Sequence, residues 1–181
     1  MTAAARGKKR VLIVQEAMGG CGRNVVDIVN GIDHAKFEVT VAYGTDRIDE
    51  YYRNAIPEME KYATLIPVPE LIRDISLRDD FKAWLRIRKL IRQFKPDILH
   101  CHSSKAGIIG RAATIGNRVP KVFYTPHAYA FQAWEFSQSK KRLFILLERT
   151  FSRIFTTQTF NVSTGERDIA LQHRIDKPEK L

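Results

Sequence analysis

The sequence predicts an α/β protein of the doubly wound, Rossmann-like kind: a mostly parallel sheet with helices on both faces. Three observations predict it. Short apolar runs of strand length alternate with longer amphipathic stretches along nearly the whole chain, which is the pattern of βαβ units. The first run leads through a glycine-rich turn into a helical pattern, and right-handed crossovers wind such units around a central sheet. At 181 residues the chain suits one domain with a real core.

The elements follow in order. Val11 to Val14 is a continuous apolar run, suited to a strand buried on both faces. Val25, Ile28, Val29 and Ile32 then fall at i, i+3, i+4 and i+7, one face of a helix. Phe37 to Tyr43 reads as the second strand. Asp46 to Tyr62 is charged and ambiguous, with Pro57 arguing against one uninterrupted helix. Ala63 to Val68 reads as a short third strand, its proline placing it at an edge or a strand end.

Ser76-Leu-Arg-Asp79 resembles a capping box with Asp in place of Glu or Gln. It opens a helix running to Phe94, with Phe81, Trp84, Leu85, Ile91 and Phe94 expected inward and Pro96 closing it. Asp97 to Cys101 is the fourth strand. Ser103 and Ser104 can cap the small-residue helix AGIIGRAATIG, whose glycines and alanines allow close backbone packing. Val122 to Thr125 is the fifth strand. A long helix from about Ser139 to Phe155 has Leu143, Leu147 and Ile154 at helical spacing. Phe160 to Ser163 is a sixth strand, and Ser163-Thr-Gly-Glu166 is a capping box for a last helix reaching about His173. The expected organisation is a disordered tail over 1–9, the domain over 10–176, and the start of a linker over 177–181, where KPEKL stands.

With 44% hydrophobic and 28% charged residues, the chain is globular rather than disordered. No run approaches the roughly 18 consecutive apolar residues of a membrane span. The segment MTAAARGKKR is basic but lacks an apolar h-region behind it, so a cytoplasmic protein is expected. Cys21 and Cys101 are the two cysteines, and neither sits in a CxxC, so reduced thiols are expected. Thirty Lys+Arg against twenty Asp+Glu leave a net charge of +10. That balance suits nucleic acid, an anionic membrane surface or phosphorylated substrates, without choosing among them.

The glycine turn, AMGGCGRN, is the first clue to function. A dinucleotide fingerprint needs G-x-G-x-x-G, but Val25 occupies the third glycine position, and Tyr43 and Gly44 stand where an acidic ribose ligand belongs. No GxxxxGK[ST] string exists, which excludes a Walker A loop. General physics remains: Gly19, Gly20 and Gly22 let a ligand approach the backbone, and the helix N-terminus behind them offers free N–H groups and a positive dipole end. A tight turn without a ligand is the plain alternative.

The second clue lies after two later strands, in His100-Cys-His102-Ser-Ser and Thr125-Pro-His127-Ala-Tyr-Ala-Phe131. Ligands of open parallel sheets bind at the carboxyl ends of the strands, where strand order reverses. With the usual order, the first and fourth strands are neighbours there, and the glycine turn, His102 and His127 surround one cleft. His100 reads as a buried, hydrogen-bonded histidine, whereas His127, in a loop after a proline, reads as functional. A zinc site drawn from Cys21, His100, Cys101, His102 and His127 is set aside: adjacent strand residues point to opposite faces, and no HExxH or paired-Cys spacing occurs. No metal is expected.

The glycine turn with its helix, DILHCHSSKAGIIGR and VFYTPHAYAF together resemble family 4 glycosyltransferases of the GT-B fold, above all those of bacterial capsule and exopolysaccharide assembly. The resemblance runs from Val11 to Ser163. It implies two facing Rossmann-like domains with a nucleotide sugar between them, of which this chain matches the N-terminal, acceptor-side one. The family's E-x7-E donor motif has no counterpart here, so a C-terminal domain of the same protein is an expected partner, and this chain alone is expected to be inactive.

What the resemblance implies for residues is specific. Gly19 and Gly20 match the loop whose N–H groups approach the donor diphosphate. Gly22 makes that loop more pliable, and Arg23 adds positive charge near phosphate. His127 matches the histidine that reaches the donor sugar near its reacting carbon. His102 and Ser103 match the segment bordering the acceptor. The implied reaction is retaining transfer from a nucleotide sugar to a saccharide or lipid-linked acceptor, in surface polysaccharide synthesis, without a cofactor.

The rival class is a non-catalytic basic module gripping anionic lipid or nucleic acid. Arg78, Lys82, Arg86 and Lys89 recur along one helix, and Lys140-Lys-Arg142 opens another. Their plain reading is a solvated face; their functional reading places the protein peripherally at the inner face of the cell membrane. Aromatics are not interleaved with these basic residues as a single-strand binder requires, so nucleic acid is not an expected partner.

Overall fold

The computed structural model describes residues 7–16 and 19–181; residues 1–6 of the expected tail lie outside the described residues. Strand β1 (Lys9–Gln15) begins at the last residue of the expected tail. With it, β2 (Phe37–Tyr43), β3 (Ala63–Pro67), β4 (Ile98–His102), β5 (Lys121–Thr125) and β6 (Gln158–Thr159) form one sheet in the order β3-β2-β1-β4-β5-β6. Every neighbouring pair is parallel. The helices are α1 (Gly20–Gly31), α2 (Glu50–Met59), α3 (Leu77–Phe94), α4 (Ser104–Ala113), α5 (Gln138–Phe155) and α6 (Thr164–Gln172). The sixth strand thus lies at Gln158–Thr159, just before the expected Phe160 to Ser163.

Period-two alternation builds the core. Leu12 and Val14 of β1 enter one apolar cluster with Ala83, Ile87 and Ile91 of α3 and Ala106, Ile109 and Ala113 of α4. Val11 and Ile13 enter the other, with Val25, Val26 and Val29 of α1 and Tyr52 and Met59 of α2. Strand order reverses where β1 meets β4, and there Gln15 pairs with His102, which pairs in turn with Thr125 of β5. The carboxyl ends of the three strands are therefore level, and their loops leave the sheet on one side.

Small residues set the depth of α4 on the sheet. A Cβ at Gly107 would collide with the ring of Tyr124, and one at Gly110 with the sulfur of Cys101. The close packing expected of this helix is what the chain adopts.

Three expectations are corrected. Pro57 does not interrupt α2, which runs unbroken past it. Proline there removes one helical hydrogen bond, to the carbonyl of Arg53, and both residues are exposed, so the loss falls on the solvent side of the helix. In α3, Phe81 is 58% exposed and Leu85 46%; the buried stripe is Ala83, Ile87 and Ile91, with Trp84, Leu90 and Phe94 partly covered. Phe81 and Leu85 lie two residues, about 200°, around the helix from Ala83 and Ile87.

In α5 the apolar stripe also faces out, with Leu143 54% and Ile154 66% exposed. Its buried residues are Glu148 and Ser152. Phe144 and Ile145 pack partly covered against the core, and the fully buried positions between α5 and α4 are polar because they meet a buried charge. Arg111 of α4, fully enclosed, donates from Nη2 to Glu148 Oε2 at 2.8 Å, from Nε to the Gly107 carbonyl at 2.8 Å and from Nη1 to Thr156 Oγ1 at 3.4 Å. Its guanidinium stacks 3.9 Å from the Tyr124 ring centroid, and the Tyr124 hydroxyl donates to Glu148 Oε1 at 2.8 Å. Ser152 donates to Asp176 at 2.9 Å.

Candidate functional site

The loop between β1 and α1 ends at Gly19, the N-cap of α1, with φ +67°, the left-handed region that glycine enters without strain. Its carbonyl accepts from Arg23 N–H at 2.9 Å, and its own N–H donates to the Asp49 carboxylate at 3.0 Å. Asp49 also caps α2 by accepting from Tyr52 N–H at 2.8 Å, so one carboxylate fixes the starts of two helices. No side chain among the described residues caps α1, and its first turn holds no acidic residue. A Cβ at Gly19 or Gly20 would meet nothing within 4 Å. The first turn therefore combines backbone N–H groups without a side-chain cap, a positive dipole end and room beside Gly19 and Gly20 among the described residues, an arrangement that suits an anion.

Gly22 is buried within the first turn of α1, so it belongs to the helix rather than lending the loop pliability. Arg23 is exposed, with its guanidinium 4.4 Å from the Tyr51 ring centroid on α2. Just before Gly22, Cys21 is buried, and that burial, reinforced by the nearby Glu16 carboxylate, pushes its thiol up to about 12.

Strands β4 and β5 bring up the histidines. His100 and His102 lie on one face of β4 and Cys101 on the other, where it joins the α3–α4 core. His100 Nε2 bonds Thr125 Oγ1 at 2.9 Å, and its ring packs against Phe123 and Phe160. His102 is fully buried, so it stands behind the cleft rather than bordering an acceptor as expected. Its Nδ1 faces His127 Nε2 at 3.1 Å, and its Nε2 is buried with no hydrogen-bond partner among the described residues. Desolvation holds all three imidazoles well below the usual histidine value, His100 and His127 at about 4. They are neutral at pH 7.

His127 sits in a strained turn, with φ +51°, and Ala128 follows at +74°. Left-handed backbone at two successive non-glycine residues costs about 1–3 kcal/mol each and persists only where neighbours enforce it. The enforcing group is Glu166 of α6. Its Oε1 accepts from Ala128 N–H at 2.6 Å and its Oε2 from Val162 N–H at 2.8 Å. The expected capping box is thus half present: Ser163 Oγ accepts from Glu166 N–H at 3.1 Å, while the carboxylate reaches out to the β5 loop instead of back to Ser163.

Ser103 occupies the N-cap of α4 with φ +75° and makes no side-chain cap. Its hydroxyl donates to Glu16 Oε2 at 3.4 Å, and Ser104 Oγ accepts from Ala130 N–H at 3.0 Å. Both hydroxyls are drawn into loop contacts, so the expected capping of α4 is not made. Glu16, buried and paired with Arg47 at 3.3 Å, was not among the expected site residues. Neither were Asp49 and Glu166. An acidic residue two positions past the apolar run Val11 to Val14 was the available signal for Glu16; the other two act across long sequence separations that no local pattern encodes.

The structure gathers Cys21, His102 and His127, whose ligand-type atoms lie within 4.8 Å of one another. The divergence of Cys101 from its neighbours is as expected, but the loop and the start of α1 return a different trio to one point.

Comparison with known proteins follows the same lines. The Glycosyltransferase Family 4 model matches residues 18–180. Over 114 residues the chain is 36% identical to UDP-Gal:alpha-D-GlcNAc-diphosphoundecaprenol alpha-1,3-galactosyltransferase of Escherichia coli, a match covering 63% of this chain and 29% of that protein. Among solved structures, Anabaena Alr3699/HepE in complex with UDP and glucose superposes with a TM-score of 0.68 at 12% identity, over 95% of this chain and 42% of that one. A UDP-N-acetylglucosamine 2-epimerase superposes with a TM-score of 0.66 at 15% identity, over 96% and 47%. At these identities the structural matches establish the fold. The chain spans less than half the length of each of these relatives.

Proposed function

The chain belongs to glycosyltransferase family 4, and we propose that it forms the acceptor-side half of a retaining transferase that moves a sugar from a nucleotide sugar to a saccharide acceptor on a lipid diphosphate. The observation that carries this reading is the uncapped start of α1 opening at the same strand ends as His127. In the proposal, the N–H groups of the first turn bind the donor diphosphate, with Gly19 and Gly20 leaving room for it. His127 positions the donor sugar, and His102 supports it from behind. Ser103, held by Glu16, lines the acceptor side. A second domain of the same protein grips the nucleotide.

The named product of the E. coli relative has an alpha linkage, which is what retention from an alpha-configured donor gives. The test uses protein carrying this domain together with its nucleotide-binding domain, supplied with UDP-galactose and a diphospholipid-linked N-acetylglucosamine. An alpha-linked disaccharide lipid is expected, and none from the 181-residue chain alone. Epimerised UDP-sugar without transfer would reject the reading in favour of the chemistry that the same fold also hosts.

A lipid-borne acceptor calls for a membrane-facing surface. Among the described residues no helix is long and apolar enough to cross a membrane. The outward stripes of α3 and α5 instead pair apolar residues (Leu77, Phe81, Leu85; Leu143, Leu146, Ile154) with Arg78, Lys82, Arg86 and Arg142, the make-up of an interfacial helix. Binding to vesicles of anionic lipid is expected to fall steeply with salt, because such contacts are screened over about 8–10 Å near physiological ionic strength. Equal binding to neutral vesicles would leave these residues as a solvated face.

A further inference from the structure

We propose that Cys21, His102 and His127 form a binding site for a thiophilic divalent cation of the zinc type. This inference does not rest on the transferase reading, because the readout is metal bound to the chain.

The donor set is the first support. One cysteine sulfur and two imidazole nitrogens suit Zn2+, whereas Mg2+ and Ca2+ take oxygen ligands. Geometry is the second. Two nitrogens on one tetrahedral zinc are about 3.3 Å apart, close to the 3.1 Å between His102 Nδ1 and His127 Nε2. All three ligand atoms lie within 4.8 Å of one another, so closing the sulfur onto a shared ion takes side-chain shifts of about an ångström. The third is enclosure. Cys21 and His102 are buried and His127 is half-buried, which shields a bound ion from bulk water.

The site has a fixed frame. Cys21 sits in the first turn of α1, His102 ends β4, and His127 is held by the Glu166 contact to Ala128. Binding converts the Cys21 thiol to a thiolate, its proton passing to solvent, and leaves the fourth position of a tetrahedral ion for water or a ligand oxygen. Occupancy also ties up the His127 lone pair.

The 181-residue chain, stripped with a chelator, is titrated with Zn2+ and then with Co2+ as a spectroscopic probe. One equivalent of zinc is expected to survive dialysis, and cobalt should show a thiolate-to-metal charge-transfer band. Cys21→Ser should abolish that band and weaken zinc binding by about 100-fold or more, since even indirect partners of a metal site are worth 10–100-fold. Cys101→Ser, on the opposite face of β4, should change neither. His127→Asn serves as a second ligand variant at a position less buried than His102. Absence of the charge-transfer band in the unaltered chain overturns the proposal whatever the variants do, as does zinc binding of equal strength in folded Cys21→Ser.

Discussion

Replacing Glu148 with alanine should cost the domain about 3–5 kcal/mol of stability, the loss seen when one partner of a buried ion pair is removed. Glu148 neutralises Arg111 in a fully enclosed site, where the guanidinium cannot turn to water. Its other oxygen takes the Tyr124 hydroxyl, so the substitution strands a charge and a hydroxyl together. A domain typically has about 5–15 kcal/mol in all, and this single change therefore brings it near unfolding. Urea denaturation, read as a fall in midpoint at constant slope, measures the loss.

Two further variants separate the cause from general damage. Arg86→Ala breaks a solvent-exposed pair with Glu70 and should stay within about 0.5 kcal/mol of the parent, as surface pairs do. The double variant Arg111→Met with Glu148→Leu should recover most of the lost stability, because well-packed apolar residues often replace a buried pair at no net cost. A Glu148→Ala loss below about 1 kcal/mol would show the guanidinium to be hydrated or otherwise satisfied.

The same network marks where sequence reasoning reaches and where it stops. The strand Phe37–Tyr43 was legible to the residue because β-branched and aromatic residues dominate it and polar and glycine residues flank it. The placing of β1 beside β4 followed from the usual strand order of a doubly wound sheet. The inner face of α5 was not legible, because apolar periodicity assigns Leu143 and Ile154 to the core and has no means of weighing a buried arginine one helix away. Likewise the site's glycines and histidines were visible as types, but not what enforces them. The Glu166 carboxylate reaches a backbone N–H 38 residues distant, a pairing that exists only once α6 has docked.

That contact bears on the change with the largest expected effect on activity. In a transferase containing this domain and its nucleotide-binding partner, His127→Ala should lower turnover by roughly 100-fold or more, equivalent to about 3 kcal/mol of transition-state stabilisation. The imidazole is neutral, partly exposed and fixed by a backbone that no local preference favours, which are the conditions for an orienting group that needs no rearrangement as the sugar–phosphate bond breaks. Folding should change by no more than about 1–3 kcal/mol, since the side chain lies in a loop outside both apolar clusters and its loss strands only the buried His102 Nδ1. His100→Gln gives the opposite pattern, because that ring is packed between Phe123 and Phe160: lost stability, with only a modest loss of rate per folded molecule. Glu166→Gln keeps one acceptor oxygen but weakens the hold on Ala128. It should reduce kcat by about tenfold with KM little altered, because small misplacements of a positioned group act on the transition state. If His127→Ala retains near-normal turnover, or if it simply unfolds, the histidine is structural and the strain at 127 and 128 serves the fold alone.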